Sequence, residues 1–199
     1  MQKLTKQNRV LSLYINTVTK YFQNTCYNQT KLMFYFMFQL VAREYPFVMW
    51  LDSSIRFIKP DTVTELVALG KRLDLVVMRG YGTIIERTLP QTFDYFGEDP
   101  CRFRQSPEIQ GGFMLFKVTR FYIDNILKPW VGCALTLGCM LPKDGVEKYI
   151  VCRNVQQYGQ CHRSDQSAWS IILYRLYGKD IELRKVSDNG PLLQVKRAG

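Results

Sequence analysis

Asp52 is the first residue of this chain whose type and placement could do chemistry. It closes the run Phe47-Val48-Met49-Trp50-Leu51, an apolar stretch of strand length that stops abruptly at an acid. In open α/β sheets, ligands bind just beyond the carboxyl ends of strands. A carboxylate there is placed to hold a hard cation and, through it, a phosphate. Asp52-Ser53-Ser54 is also good turn chemistry, so a turn cap is the competing reading. Further along, Gly111 and Gly112 run into the apolar Phe113-Met114-Leu115-Phe116, and paired glycines let a ligand or a backbone come close. Asp165 and Gln166 then follow Cys161-His162-Arg163-Ser164. Asp165 either answers a helix dipole as a first-turn carboxylate or faces a ligand. His162, the single histidine, is either a satisfied structural residue or a metal or substrate contact. Cys161 beside it carries no sign of activation as a nucleophile.

The elements that must position these residues alternate. Thr30 is placed to cap a helix from Lys31 to Glu44 that is apolar almost all round, as a helix packed on a sheet would be. Pro46 ends it, and the strand leading to Asp52 follows. Thr62-Val63-Thr64-Glu65 fits a capping box with Gly70 as the stop, and Leu73 to Met78 is a second continuous apolar strand. Helix, strand, helix, strand at these spacings predicts α/β architecture with a mainly parallel sheet. From Arg79 to Pro107, glycines, prolines and aromatics predict a long functional loop. Helices are expected over Val118 to Leu127, from Pro129 to Leu137, and from a Ser164 cap to about Tyr177 with Ala168, Ile171, Ile172 and Leu176 inward. Leu192 to Val195 reads as an edge strand. Residues 1–29 are polar and poorly patterned, and 30–199 read as one α/β domain.

The bulk composition narrows the partners. Within 199 residues, 27 Lys+Arg stand against 17 Asp+Glu, a basic balance suited to nucleic acid, a membrane surface or an anionic small ligand. The basic residues are scattered without a recognised motif, which disfavours nucleic acid. Neither a P-loop nor a dinucleotide-binding glycine motif is present. Six cysteines leave open a disulfide framework in an oxidising lumen or buried free thiols; without C-x-x-C pairs, and with one histidine, a structural zinc site is disfavoured. The Asn28-Gln29-Thr30 sequon points towards the secretory route, whereas no signal peptide or membrane anchor is visible in the chain.

Taken in order, these blocks resemble the GT-A-type glycosyltransferases, nucleotide-sugar transferases with a single Rossmann-like α/β domain. FVMWLDSSIRF sits where those enzymes carry a strand-end DxD, IQGGFMLF resembles the strand after their acceptor loop, and HRSDQSAWSIIL resembles their Asp-Gln helix start. A nearer resemblance is to an animal family, rich in nematode members, with WxDSSIRF-like and CHRxDQSA-like blocks. The resemblance covers about Lys31 to Gly178. It implies a nucleotide-sugar donor bound with a divalent cation such as Mn2+, a glycan or protein acceptor, and a secretory or Golgi location. Asp52, with His162, would hold the metal, and Gly111 and Gly112 would leave room for the donor sugar or acceptor. Asp165 would face the transferred sugar with Gln166 beside it, and Arg163 and Lys128 would contact the diphosphate. Two departures stand out. Ser54 replaces the second aspartate, and the nucleotide-binding half expected before the DxD strand has little chain to occupy, as in a domain truncated at its N-terminus. The alternative implied is a catalytically inactive relative that binds glycans or another protein.

Overall fold

Asp52 lies where a strand ends. The structure, a computed structural model, describes residues 44–142, 152 and 157–196. Strand β1 (Phe47–Leu51) leads to Asp52, and β2 (Ile55–Phe57) begins just after the turn. Then come helix α1 (Thr62–Leu73), strand β3 (Leu75–Thr83), helix α2 (Pro90–Phe96), a 3-10 turn (Pro100–Phe103) and the long strand β4 (Pro107–Lys117). A helical run from Arg120 passes through a π-helical turn (Ile123–Leu127) into α3 (Lys128–Leu135), and α4 (Asp165–Tyr177) follows. Strands β5 (Lys185–Val186) and β6 (Leu193–Val195) close the order. The 1–29 segment with its sequon, most of the Lys31 to Glu44 helix and much of the stretch from 143 to 156 lie outside the described residues.

The architecture is mixed α/β, but the sheet is not mainly parallel. Its order is β1-β4-β3-β5. β4 runs antiparallel to both neighbours, and only the β3–β5 pairing is parallel. β1, β3 and β5 thus share one direction, with β4 reversed between β1 and β3. A continuous apolar run marks a strand buried on both faces and carries no information about direction, which is why alternation alone misjudged the pairing. The Leu192–Val195 expectation holds: β6 pairs antiparallel with β2 in a small second sheet.

Both faces of the main sheet are covered. On one side, α3 and α4 pack Trp130, Ala168, Trp169, Ile172 and Leu173 against Leu75, Val77, Met114 and Phe116. On the other, α1 sets Leu66 against Val76, Met78, Phe113 and Leu115. The alternation of Met114 and Phe116 with Phe113 and Leu115 between the two cores is the period of two of a strand. Gly70 does not stop α1. It lies within the helix, where a Cβ would come 2.9 Å from Leu115 Cδ2, so it lets helix and sheet approach. Asp74, in the left-handed conformation, ends the helix, its N–H bonded to Gly70 O at 2.9 Å. Asp61 rather than Thr62 is the N-cap; Thr62 is buried and its hydroxyl donates to Leu192 O at 3.3 Å.

The stretch expected to be loop from Arg79 is strand as far as Thr83. Gly80 and Gly82 therefore lie inside β3, where the β3–β4 pair extends past the end of β1. The register is interrupted there: Val77 faces Met114, and Met78 faces Gln110. Gly111, Gly112 and Phe113 fill the gap as a bulge, a feature that bends a strand and re-aims its residues.

Candidate functional site

The turn after β1 is made by Asp52 itself. Its backbone N–H extends the pairing by donating to Gly112 O at 2.8 Å, and Ile55 N–H returns to Asp52 O at 3.0 Å. Its side-chain Oδ1 accepts the Ser54 N–H at 2.8 Å, so the turn-capping reading is observed. The carboxylate remains exposed to solvent, and capping through one oxygen leaves acceptor capacity for a cation. Trp50, one turn of pleat earlier, donates its indole N–H to Gly111 O at 3.0 Å. Both glycines of the bulge are therefore tied through their carbonyls to the end of β1.

The second carboxylate arrives from α4. A Cβ added to Gly111 would lie 3.8 Å from Asp165 Oδ2, and one added to Gly112 would lie 3.6 Å from Asp52 Cβ. Gly112 looks towards Met78 and Ile55 in the α1-side core, and Gly111 towards α4. Asp52 and Asp165 thus reach neighbouring backbone positions from the two sides of the sheet. β1 ends opposite Phe113, so beyond that point no strand on the β1 side separates them among the described residues. At both glycines a Cβ would make only ordinary van der Waals contact, and neither has positive φ. Neither packing of a Cβ nor backbone conformation calls for glycine there; Asp165 and Gln166 lie at ordinary contact distance of the one position, and Met78, Asp52 and Ile55 of the other.

Helix α4 is set down by a strained residue. Ser164 has φ 49° and ψ −113°, a conformation costing a non-glycine residue about 1–3 kcal/mol. The expected side-chain cap is not formed: the buried Ser164 Oγ has no partner among the described residues. Backbone contacts hold the turn instead. Arg163 N–H donates to Arg87 O at 3.0 Å, and Ser167 Oγ donates to the same carbonyl at 2.6 Å. The Trp130 indole N–H reaches Asp165 O at 3.1 Å. Gln166 is buried, its Oε1 accepting Gly111 N–H at 3.1 Å and its Nε2 donating to Glu108 Oε2 at 2.5 Å. It supports the glycine bulge through its side chain, while Asp165 stands half-exposed beside it.

His162 takes a structural place, a correction to its reading as a metal ligand. It is fully buried. Nδ1 accepts the Leu89 N–H at 3.4 Å, which puts the ring proton on Nε2, 3.1 Å from Met140 O. Both ring nitrogens are engaged by backbone, so no lone pair is directed to a cation. Lys128 is exposed and pairs with Asp124 Oδ1 at 2.7 Å, one helical turn away, rather than with a residue of the site. Arg163 is half-buried and joins the site through its backbone.

Sequence reasoning missed Glu108 and Arg87. Glu108 is 4% exposed, a carboxylate at the head of an apolar strand, and Arg87 Nη1 lies 3.9 Å from its Oε1. A buried charge of this kind needs partners, and a lone acid before the Gly-Gly pair was the available signal. Gly80 and Gly82 make room for the pair: a Cβ at Gly80 would sit 2.2 Å from Glu108 Cγ and 2.9 Å from its backbone O, and one at Gly82 would sit 2.3 Å from Arg87 Nε. Gly80→Ala is expected to cost about 1–3 kcal/mol through overpacking, read as a lower urea midpoint at unchanged m-value.

Compared with protein-family models, with curated proteins and with solved structures, the chain finds no match. The donor chemistry must therefore be judged from the residues. Among the described residues, no group of three or more His, Cys, Asp and Glu could by itself hold a metal. Asp52 would supply one carboxylate in the other common arrangement, in which substrate phosphates and water fill the remaining positions.

Disulfides Cys133–Cys139 and Cys152–Cys161 are formed, and Cys101 is an exposed thiol. Such bridges fit an oxidising compartment. Among the described residues no helix is long and apolar enough to cross a membrane.

Proposed function

We propose that the end of β1 is a glycosyltransferase-type site that binds a nucleotide-diphosphate sugar together with a divalent cation such as Mn2+. One observation carries this reading: Asp52 and Asp165 both reach the Gly111–Gly112 bulge beyond the last residue of β1. Asp52 would hold the cation jointly with the diphosphate, and the cation would neutralise charge on the leaving group. Asp165 would orient the sugar or take a proton from the acceptor hydroxyl, the part of a positioned carboxylate. The strained, laced turn before α4 would hold Asp165 in place. The disulfides support an oxidising, lumenal setting; the Golgi would be one such compartment, and the acceptor would be a glycan or a protein.

Isothermal calorimetry with UDP-N-acetylglucosamine, UDP-galactose and GDP-mannose, with and without Mn2+, tests the reading. At least one should bind only with Mn2+, and Asp52→Ala should weaken it by about tenfold or more. Equal affinity in the variant would sink the role of Asp52.

A second reading is favoured by Ser54, which stands where a second carboxylate would complete the motif and contributes only its N–H to Asp52. The protein would then be a non-catalytic relative that recognises a glycan or a protein. Release of free nucleotide from the bound donor, followed over hours, separates the two: turnover supports the enzyme, and binding without turnover supports the relative.

A further inference from the structure

The carboxylate of Glu108 stands at the centre of a buried chain of contacts linking four separate stretches. Its Oε1 accepts the Gly82 N–H from β3 at 3.5 Å and faces Arg87 Nη1 at 3.9 Å. Its Oε2 accepts from Gln166 Nε2 on α4 at 2.5 Å, and Gln166 Oε1 in turn accepts the Gly111 N–H at 3.1 Å. The side chain of Glu108 is 6% exposed and that of Arg87 21%, so the chain of contacts is largely shielded from water.

We propose that Glu108 is a positioning residue that sets which way the Gln166 amide points, and through it the shape of the Gly111–Gly112 bulge. The reason is chemical. A primary amide has one accepting end and one donating end, and in a site of this shape either could face residue 108. An ionised carboxylate only accepts, so Glu108 obliges Gln166 to turn its NH2 inward and leave Oε1 for the Gly111 N–H. Arg87 Nη1, 3.9 Å away, offers a countercharge to a buried carboxylate that would otherwise be costly, and hydrogen bonds to a charged acceptor are stronger than neutral ones. Gly80 and Gly82, whose Cβ positions are occupied by Glu108 and Arg87, are the space this arrangement requires. The position of the backbone beside Asp165 thus depends on a charge on the same strand, relayed through Gln166 of α4.

The polarity of the chain of contacts makes the test a swap. Glu108→Gln preserves shape but restores the ambiguity, since the introduced amide can donate to Gln166 Oε1 and displace the Gly111 N–H. In NMR hydrogen exchange on the full chain, the Gly111 amide should exchange about tenfold faster in this variant, as expected when a local bond opens. The double variant Glu108→Gln/Gln166→Glu places an acceptor-only group at position 166. That group can accept both from the amide introduced at position 108 and from the Gly111 N–H, and it should bring exchange back to the wild-type rate. Thermal melts confirm that both variants are folded. Unchanged Gly111 exchange in Glu108→Gln, or loss of protection that the swap fails to restore, would overturn the proposal, because a merely structural need for charge beside Arg87 gains nothing from the swap. The relevance to substrate rests on the glycosyltransferase reading, and the readouts keep the two apart. If nucleotide sugars do not bind while exchange follows this pattern, that reading fails and the positioning role stands.

Discussion

Replacing Trp169 by alanine is expected to lower the unfolding free energy by about 3–5 kcal/mol, the range for truncating a fully buried large aromatic. Trp169 is 1% exposed and lies on the inner face of α4. Its ring meets Trp130 edge-on at 5.7 Å between centroids and Tyr122 at 6.4 Å, and Tyr122 stacks on Phe116 of β4 at 4.0 Å. This four-aromatic chain of contacts joins the helical run after β4, α4 and the sheet, so the cavity would open where three elements meet and could relax little. Trp169→Phe should be far milder. It keeps most of the apolar volume and removes an indole N–H that is buried with no partner among the described residues, a group whose unmet hydrogen bond is itself unfavourable. Equilibrium urea unfolding gives both values. A loss below about 1 kcal/mol for Trp169→Ala would mean that the site collapses freely and that α4 is not anchored here.

His162→Ala is expected to cost roughly 2–5 kcal/mol, since it strips two buried backbone groups of their partners at about 1–3 kcal/mol each. Those groups are the Leu89 N–H at the start of α2 and the Met140 carbonyl beside the Cys133–Cys139 bridge. Cys161, linked to Cys152, immediately precedes the histidine. The imidazole therefore joins three chain segments just ahead of the Ser164 turn that sets Asp165. The same variant separates the structural place from a role in metal binding. Wherever the variant remains folded, Mn2+-dependent nucleotide-sugar affinity should match the wild type, whereas a metal ligand would lose affinity as well as stability. Parallel melts and calorimetry on one preparation read both.

The positions of Asp52 and Asp165 were legible in the residues. An apolar run ending in an acid put Asp52 at a strand end, and it is there. A serine followed by Asp-Gln and a patterned apolar stripe placed the start of α4 at Asp165 and its end at Tyr177. These are local properties, governed by the periodicity of burial and by how helices and strands stop. The small β6 strand was legible for the same reason.

What each side chain does at its position was decided by contacts distant in sequence. Gln166 reads as an acid's neighbour at a helix start, yet its amide is taken up by Glu108 and Gly111, 58 and 55 residues away. His162 looks like a ligand in a cysteine-bearing turn, yet its ring meets Leu89 and Met140, 73 and 22 residues away. Burial makes such partners obligatory without naming them, because a buried polar group accepts whichever donor the packing delivers. Strand direction was hidden for a related reason: an apolar run satisfies a parallel or an antiparallel neighbour equally well, and β4 proved reversed. By itself, then, the amino-acid sequence determined where β1 ends and where α4 begins, and hence where Asp52 and Asp165 could act. Only the tertiary structure decided that they meet at one bulge, and that Glu108 and Arg87 stand behind it, since pairing and burial are properties of surfaces brought together rather than of neighbours along the chain.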